Sequence, residues 1–168
     1  MTKKIMAIII VLLIALGAGY FISKHGNKTA PSNQNSSTGT SKSGAGGISL
    51  DLSGQQLTTI PDSILSRTDI TALNVSNNQL TNLPSSISKL TNLEVLNVEN
   101  NRLVSFPPEI SQLTKLREIH ANNNRITSLP TELGNMTWLQ SLDISGNNIS
   151  SSEINKLKAR LTNTQFKT

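Results

Sequence analysis

The chain has 168 residues, no cysteine and a formal net charge of +5 at pH 7. The absence of cysteine excludes disulfide bonds and thiolate metal sites. All ten acidic residues lie between Asp51 and Glu153, and ten of the fifteen Lys and Arg residues lie within 48–168. This region is therefore nearly neutral, which argues against nucleic-acid binding because nucleic-acid-binding domains carry a basic surface.

The N-terminal segment begins with Lys3 and Lys4 and continues as an apolar run. Ile5–Ile22 contains no charged side chain. As a helix, this run would measure about 27 Å, close to the roughly 30 Å thickness of a bilayer core. We predict a transmembrane signal-anchor over residues 1–22, with a cytoplasmic N-terminus and the rest of the chain outside. The alternative is a signal peptide whose cleavage near Gly17 would release a secreted protein.

Residues 23–47 differ in composition from both of their neighbours. They are rich in Ser, Thr, Asn, Gly and Lys and have almost no apolar side chains. Such a segment cannot bury enough apolar surface to offset the chain entropy lost on folding. We therefore predict a disordered linker over residues 23–47 and a folded domain over residues 48–168.

From Leu50 onward, the sequence has a regular 23-residue period. Aliphatic residues recur at Leu50, Leu73, Leu96, Ile119 and Leu142. Asparagine recurs at Asn78, Asn101, Asn124 and Asn147, and proline recurs at Pro61, Pro84, Pro107 and Pro130. A period of roughly this length, with Leu and Asn at fixed positions, is typical of a solenoid.

Each repeat combines a strand pattern with a helical pattern. Leu73-Asn74-Val75 alternates between apolar and polar, as a strand with one buried face does. The recurrent asparagines follow the strands, where an amide can satisfy backbone groups of its own turn and of the neighbouring turn, so we interpret this ladder as structural. The recurrent prolines suit the start of short helical segments.

Residues 150–168 predict a C-terminal cap, which a solenoid needs because its last repeat leaves an apolar face uncovered. Glu153 takes the place of the recurrent proline. Ser150–Ser152 precede Ile154, Leu157 and Leu161, which are spaced as one face of a helix behind an N-cap. We expect a capping helix, followed by Thr164–Phe166 closing the edge.

The unit Ile70–Asn92 resembles the leucine-rich repeat family in its 23-residue LxxLxLxxNxLxxLPxxIxxLxx form. The resemblance covers about residues 50–157. It implies an α/β solenoid of about five repeats, with a parallel sheet on the concave face and short helical or 3₁₀ segments on the convex face. It also implies a binding protein, and the bare repeats without cysteine suggest a bacterial one.

The candidate site is a cluster of larger side chains on the concave face of the third and fourth repeats. With the two arginines that follow the ladder, the predicted partner-binding residues are Val95, Asn97, Glu99, Arg102, Glu118, His120, Asn122 and Arg125. Trp138 is added because Asn92 and Lys115 stand at its equivalent positions. It either packs under the C-terminal cap or serves as an exposed anchor for a partner.

The sequence lacks the patterns of an active site. His120 is the only histidine of the repeats, and no serine stands in a strained elbow beside it. Zinc ligands and a Gly-rich phosphate loop are also missing. We predict no enzyme activity, no cofactor and no metal site.

The expected function is recognition of a protein or glycan ligand by the concave face, on the outer side of a membrane. Two alternatives are left open. The protein could be a passive structural component of the envelope, or a secreted effector released by signal cleavage. The sequence does not distinguish between the ligands that such a face could bind.

Overall fold

The structure of the chain is a computed structural model, and it describes residues 47–168. The predicted membrane segment 1–22 lies outside the described residues. The predicted linker 23–47 also lies outside them, except for its last residue.

Six short strands form one parallel sheet in which the strands follow one another in sequence order. The strands are β1 (Ile48–Asp51), β2 (Ile70–Asn74), β3 (Val95–Asn97), β4 (Glu118–His120), β5 (Ser141–Asp143) and β6 (Gln165–Lys167). Equivalent residues of consecutive repeats stand side by side, so that Leu73 pairs with Leu96 and Leu96 with Ile119. This register follows directly from the 23-residue period.

A row of short helical segments lies on the other side of the repeats. It consists of the helix α1 (Asp62–Leu65), the 3₁₀ segments Ser85–Lys89, Pro108–Gln112 and Thr131–Asn135, and the helix α2 (Ser151–Arg160). The parallel sheet with these segments confirms the predicted α/β solenoid. The sixth strand comes from the residues after α2 and pairs with β5.

Each recurrent proline stands immediately before a helical segment, in extended backbone. Pro84 has φ −72° and ψ 152°, and its carbonyl oxygen accepts a hydrogen bond from Ile87 N at 3.0 Å. Pro130 has φ −65° and ψ 142°. The fixed φ of proline suits this extended position, and no N–H is needed there. The prolines thus set the corner between the ladder and the helical row.

The core lies between the sheet and the helical row and is almost entirely aliphatic. Leu73, Leu96, Ile119 and Leu142 are each no more than 1% exposed, and they stack in one column. Burial of each such side chain stabilises the fold by about 1.5–3 kcal/mol relative to exposure. The opposite face of the sheet, which we call the concave face, carries the polar residues of the strands.

The prediction of a single-pass membrane protein is contradicted by the structure. Between residues 47 and 168, no helix is long and apolar enough to cross a membrane. The ten residues of α2 would measure only about 15 Å, against a bilayer core of about 30 Å. The apolar run 5–22, on which the prediction rested, lies outside the described residues.

Candidate partner-binding surface

The register of the sheet places most of the predicted binding residues next to one another. Val95 stands beside Glu118, and Asn97 stands beside His120. All four side chains are partly exposed on the concave face, since the buried residues of these strands are Leu96 and Ile119.

The central residues of the strands form a column on the concave face, which consists of Asp51, Asn74, Asn97, His120 and Asp143. Four of these side chains hydrogen-bond to their own turn. The Oδ1 atom of Asn97 accepts a hydrogen bond from Glu99 N at 3.0 Å. The same bond, to the N–H two residues onward, is made by Asp51 (2.9 Å), Asn74 (3.0 Å) and Asp143 (3.1 Å). Such Asx turns stabilise the exit from the strand. Asn97 therefore has a structural task besides any contact with a ligand.

His120 is the exception in this central column. Instead of capping the turn, its Nε2 atom lies 3.3 Å from Oε2 of Glu118. The two side chains are 34% and 44% exposed. A side-chain contact this exposed contributes about 0–1 kcal/mol to stability. The fold therefore gains little from His120, and both side chains face solvent on the concave face.

Glu99 and Asn122 extend the cluster towards the C-terminal end of the strands. Both are half-buried. The Nδ2 atom of Asn100 donates to Oε1 of Glu99 at 3.4 Å, and the backbone N of Asn100 donates to the carbonyl of Asn122 at 3.1 Å. The third and fourth repeats are thus joined at this point.

Arg102 and Arg125 lie just beyond the asparagine ladder, and both are exposed. Their backbone N–H groups donate to the carbonyls of Leu80 (2.8 Å) and Leu103 (2.9 Å), one repeat earlier in each case. These hydrogen bonds place the two arginines side by side at the edge of the concave face.

Trp138 is separated from the other predicted residues. It precedes β5, whereas Arg125 follows β4, so the two residues lie at opposite ends of the parallel strands. The Nε1 atom of Trp138 donates to the carbonyl of Leu113 at 3.2 Å, and the indole is partly buried. This hydrogen bond goes to the preceding repeat rather than to the C-terminal cap.

The asparagine ladder forms the same four hydrogen bonds in every complete repeat. In Asn101, Nδ2 donates to the carbonyls of Val75 (3.0 Å), Val98 (3.0 Å) and Glu99 (3.1 Å), and Oδ1 accepts from Leu80 N (2.9 Å). Asn78, Asn124 and Asn147 repeat this arrangement. Each amide links two adjacent turns and leaves little capacity for a ligand.

A second column of special residues was missed by the sequence reasoning. The residue before each ladder asparagine has a positive φ, and so does Gly54 at the equivalent position of the first repeat: Gly54 (66°), Asn77 (57°), Asn100 (53°), Asn123 (56°) and Gly146 (68°). Glycine and asparagine are the residues that adopt this backbone most readily. The signal was present, because these positions also follow the 23-residue period and hold only Gly or Asn.

The clearest electrostatic effect of the described region lies outside this cluster. Arg67 and Asp69 form an ion pair of 2.8 Å in the loop before β2. The hydrogen bond from Arg67 lowers the pKa of Asp69 below its usual value. This pair joins residues of the same loop and does not involve the concave face.

Comparison with known proteins agrees with the fold. A family model described as a leucine-rich repeat region matches residues 49–164. No curated protein matches the chain. A solved leucine-rich repeat protein of Leptospira interrogans is 36% identical with a TM-score of 0.68, and the match covers 71% of this chain and 30% of that one.

Two internalins of Listeria monocytogenes are also similar. Internalin C2 is 26% identical with a TM-score of 0.60, and the match covers 71% of this chain and 51% of that one. Internalin F is 24% identical with a TM-score of 0.54, covering 64% and 31%, which shows a common fold alone. The chain thus spans about a third to a half of the length of these solved proteins. On the match over residues 49–164, the chain belongs to the leucine-rich repeat family.

Proposed function

We propose that this protein is a recognition module that binds a protein partner through the concave face of its third and fourth repeats. The binding surface consists of Val95, Glu99, Glu118, His120 and Asn122, which we call the recognition patch. The observation that carries the proposal is the substitution of His120 into a column of turn-capping Asn and Asp residues, where it pairs with Glu118 instead.

The fold supports this proposal. Leucine-rich repeat domains generally mediate protein–protein binding, and a solenoid presents an extended surface for it. On the concave face, most positions hold small polar residues such as Ser49, Ser141 and Ser145. The recognition patch is where larger and charged side chains collect, which gives a partner something to distinguish.

A catalytic role is a poorer fit to the same residues. Glu118 and His120 could exchange a proton, but they stand on an open strand surface. Within residues 47–168, no three His, Asp or Glu side chains are placed to hold a metal ion. We therefore propose binding without chemistry.

Affinity capture tests the proposal. The whole chain, immobilised, is exposed to an extract of the organism that makes it, beside a variant with Glu99→Ala, Glu118→Ala and His120→Ala. We expect one protein species to be retained by the native chain and lost by the variant.

A matched control carries three substitutions on the convex side, Lys89→Ala, Glu109→Ala and Glu132→Ala. It should retain the partner as well as the native chain does. Equal capture by all three proteins would exclude the recognition patch as the binding surface. Circular dichroism melting of each variant confirms that the repeats are folded.

A further inference from the structure

The arginines beside the recognition patch are unusual in having no side-chain partner among residues 47–168. The chain has five arginines, all within the described region. Arg67 pairs with Asp69, Arg117 donates to the carbonyl of Trp138 at 3.3 Å, and Arg160 donates to the carbonyl of Thr131 at 3.1 Å. Among residues 47–168, neither Arg102 nor Arg125 makes a side-chain hydrogen bond or an ion pair.

The two unpaired guanidinium groups belong to adjacent repeats. Backbone hydrogen bonds between repeats hold Arg102 and Arg125 in register, at the spacing of about 4.8 Å between neighbouring strands. Two like charges this close together repel each other. The same column holds the neutral residues Gln79 and Asn148 in the flanking repeats. Two adjacent positive charges in this column thus occur only in the repeats that carry the recognition patch.

Charge changes sign along a strip of the surface that runs from the concave face past the asparagine ladder. Glu118 and Glu99 lie on the concave side of the ladder, and Arg102 and Arg125 lie just past it. Glu99 forms no ion pair with either arginine, although it is close in sequence. Beyond the arginines, Val104 is 52% exposed, which is high for a large apolar residue of this domain. The strip therefore runs from acidic to basic to apolar, parallel to the strands.

We infer that Arg102 and Arg125 together bind one carboxylate of an extended peptide segment of the partner. This segment lies over the third and fourth repeats and runs parallel to their strands. This inference rests on the proposed function and specifies its ligand. Two guanidinium groups side by side suit a carboxylate, whose two oxygens accept from both. A basic residue of the same segment lies over Glu118, at the start of the strands.

The spacing of the two charges in the peptide follows from the strand geometry. From Glu118 to Asn122 the chain advances by about 13 Å at roughly 3.3 Å per residue, and Arg125 follows after the turn. An extended peptide advances by the same amount per residue. Its basic and acidic residues are therefore about three to five positions apart. Neutral glycans carry neither charge and acidic glycans carry only one, so a peptide fits the strip better.

The test uses a positional library of ten-residue peptides with acetylated N-termini and amidated C-termini, so that only side chains carry charge. The immobilised whole chain selects from this library. We expect enrichment of peptides with Asp or Glu about three to five positions from Lys or Arg. In the best peptide, replacing the acidic residue by its amide should weaken binding to the native chain by about tenfold or more.

The decisive comparison uses the variant Arg102→Gln/Arg125→Gln. If the carboxylate contacts these arginines, the same peptide change should weaken binding to this variant by less than about twofold, because the contact is already lost. The matched control Lys89→Gln/Lys156→Gln removes the same total charge elsewhere and should behave as the native chain does.

Two results would overturn the inference. One is enrichment without an acidic position, or an acidic position whose removal weakens binding equally in both proteins. The other is the absence of any enriched peptide. Neither result decides the proposed function itself, which the capture experiment with the recognition-patch variant tests separately.

Discussion

Asparagine serves three different purposes at neighbouring positions of the same repeat. The Oδ1 atom of Asn97 caps the turn after β3, Asn100 adopts a positive φ of 53°, and Asn101 is buried with its amide fully hydrogen-bonded. A short amide can do all three because it offers donors and an acceptor close to its own backbone. Only the third of these tasks requires burial, so the three positions should differ greatly in their tolerance of substitution.

We predict that Asn101→Ala destabilises the protein by about 1–3 kcal/mol, because the substitution leaves the buried N–H of Leu80 without its hydrogen-bond partner. The three carbonyl groups that Asn101 also contacts each keep another donor. Asn100→Gly is the control, since glycine accepts a positive φ and only exposed side-chain hydrogen bonds with Asn123 and Glu99 are lost, so it should cost less than about 1 kcal/mol. Urea unfolding of both variants measures the difference. Equal stability of the two variants would show that the ladder hydrogen bonds contribute little.

Two glycines with the same backbone conformation provide a matched test of packing. Gly54 and Gly146 have φ of 66° and 68°. A Cβ atom at Gly54 would have no atom within 4 Å, whereas at Gly146 it would clash with Oδ1 of Asn123. Asn123 cannot move away without weakening its hydrogen bond to Asn100, which measures 3.1 Å.

We therefore predict that Gly54→Ala costs about 1 kcal/mol, the price of a positive φ alone, and that Gly146→Ala costs about 2–3 kcal/mol. Thermal unfolding of the two variants gives the comparison. If both substitutions lower the melting temperature equally, the contact with Asn123 is not a constraint on the last repeat.

At the scale of elements, the C-terminal helix is attached to the last repeat by polar contacts as well as by its apolar face. Ser150 Oγ accepts from Glu153 N at 3.2 Å and caps α2, while Oε1 of Glu153 accepts from the backbone N of Leu129. At the other end, Arg160 donates to the carbonyl of Thr131 at 3.1 Å and to the side chain of Asn135. Polar contacts therefore hold α2 to the last repeat at both ends of the helix.

We predict that Arg160→Ala destabilises the cap by about 1 kcal/mol, since it removes charge-assisted hydrogen bonds that are exposed to solvent. The effect should be local, with faster amide hydrogen exchange in α2 and β6 and unchanged exchange in β2 and β3. Lys156→Ala, on the same helix, is the control and should exchange as the native chain does. A uniform acceleration across all repeats would contradict a local role.

Most of these elements could be predicted from the 23-residue period alone, because each repeat places its strand, ladder and proline at fixed positions. The sequence predicted that Thr164–Phe166 closes the edge after α2, but not that Gln165–Lys167 forms a sixth strand paired with β5, since this segment falls outside the repeat pattern and is very short. The period also predicted which candidate residues share a face. It did not indicate that Asn97 caps a turn while His120 pairs with Glu118, since those contacts depend on side-chain conformation.

At the scale of the whole molecule, larger and charged residues that differ from the repeat pattern are concentrated in two adjacent repeats of the solenoid. The third and fourth repeats hold the recognition patch, the adjacent arginines Arg102 and Arg125, and the exposed Val104. Stability does not require these side chains, since neighbouring repeats fold the same way with smaller or uncharged residues, such as Ala72, Ser141 and Gln79, at equivalent positions. We therefore attribute their concentration to the proposed binding of a partner.

The measurement that tests this claim most directly returns the fourth repeat to the pattern of its neighbours. In the variant Glu118→Ser/His120→Asn, both positions carry the residue types found in the same columns at Ser141 and Asn97. The asparagine can again cap its turn, so the variant should unfold at the same urea concentration as the native chain or at a higher one.

The dissociation constant of the captured partner is then compared between this variant and the native chain. We predict that binding weakens by about tenfold or more while stability is retained, because two exposed contact residues are lost and a turn is gained. Unchanged affinity in a fully folded variant would contradict recognition by the concave face of the third and fourth repeats.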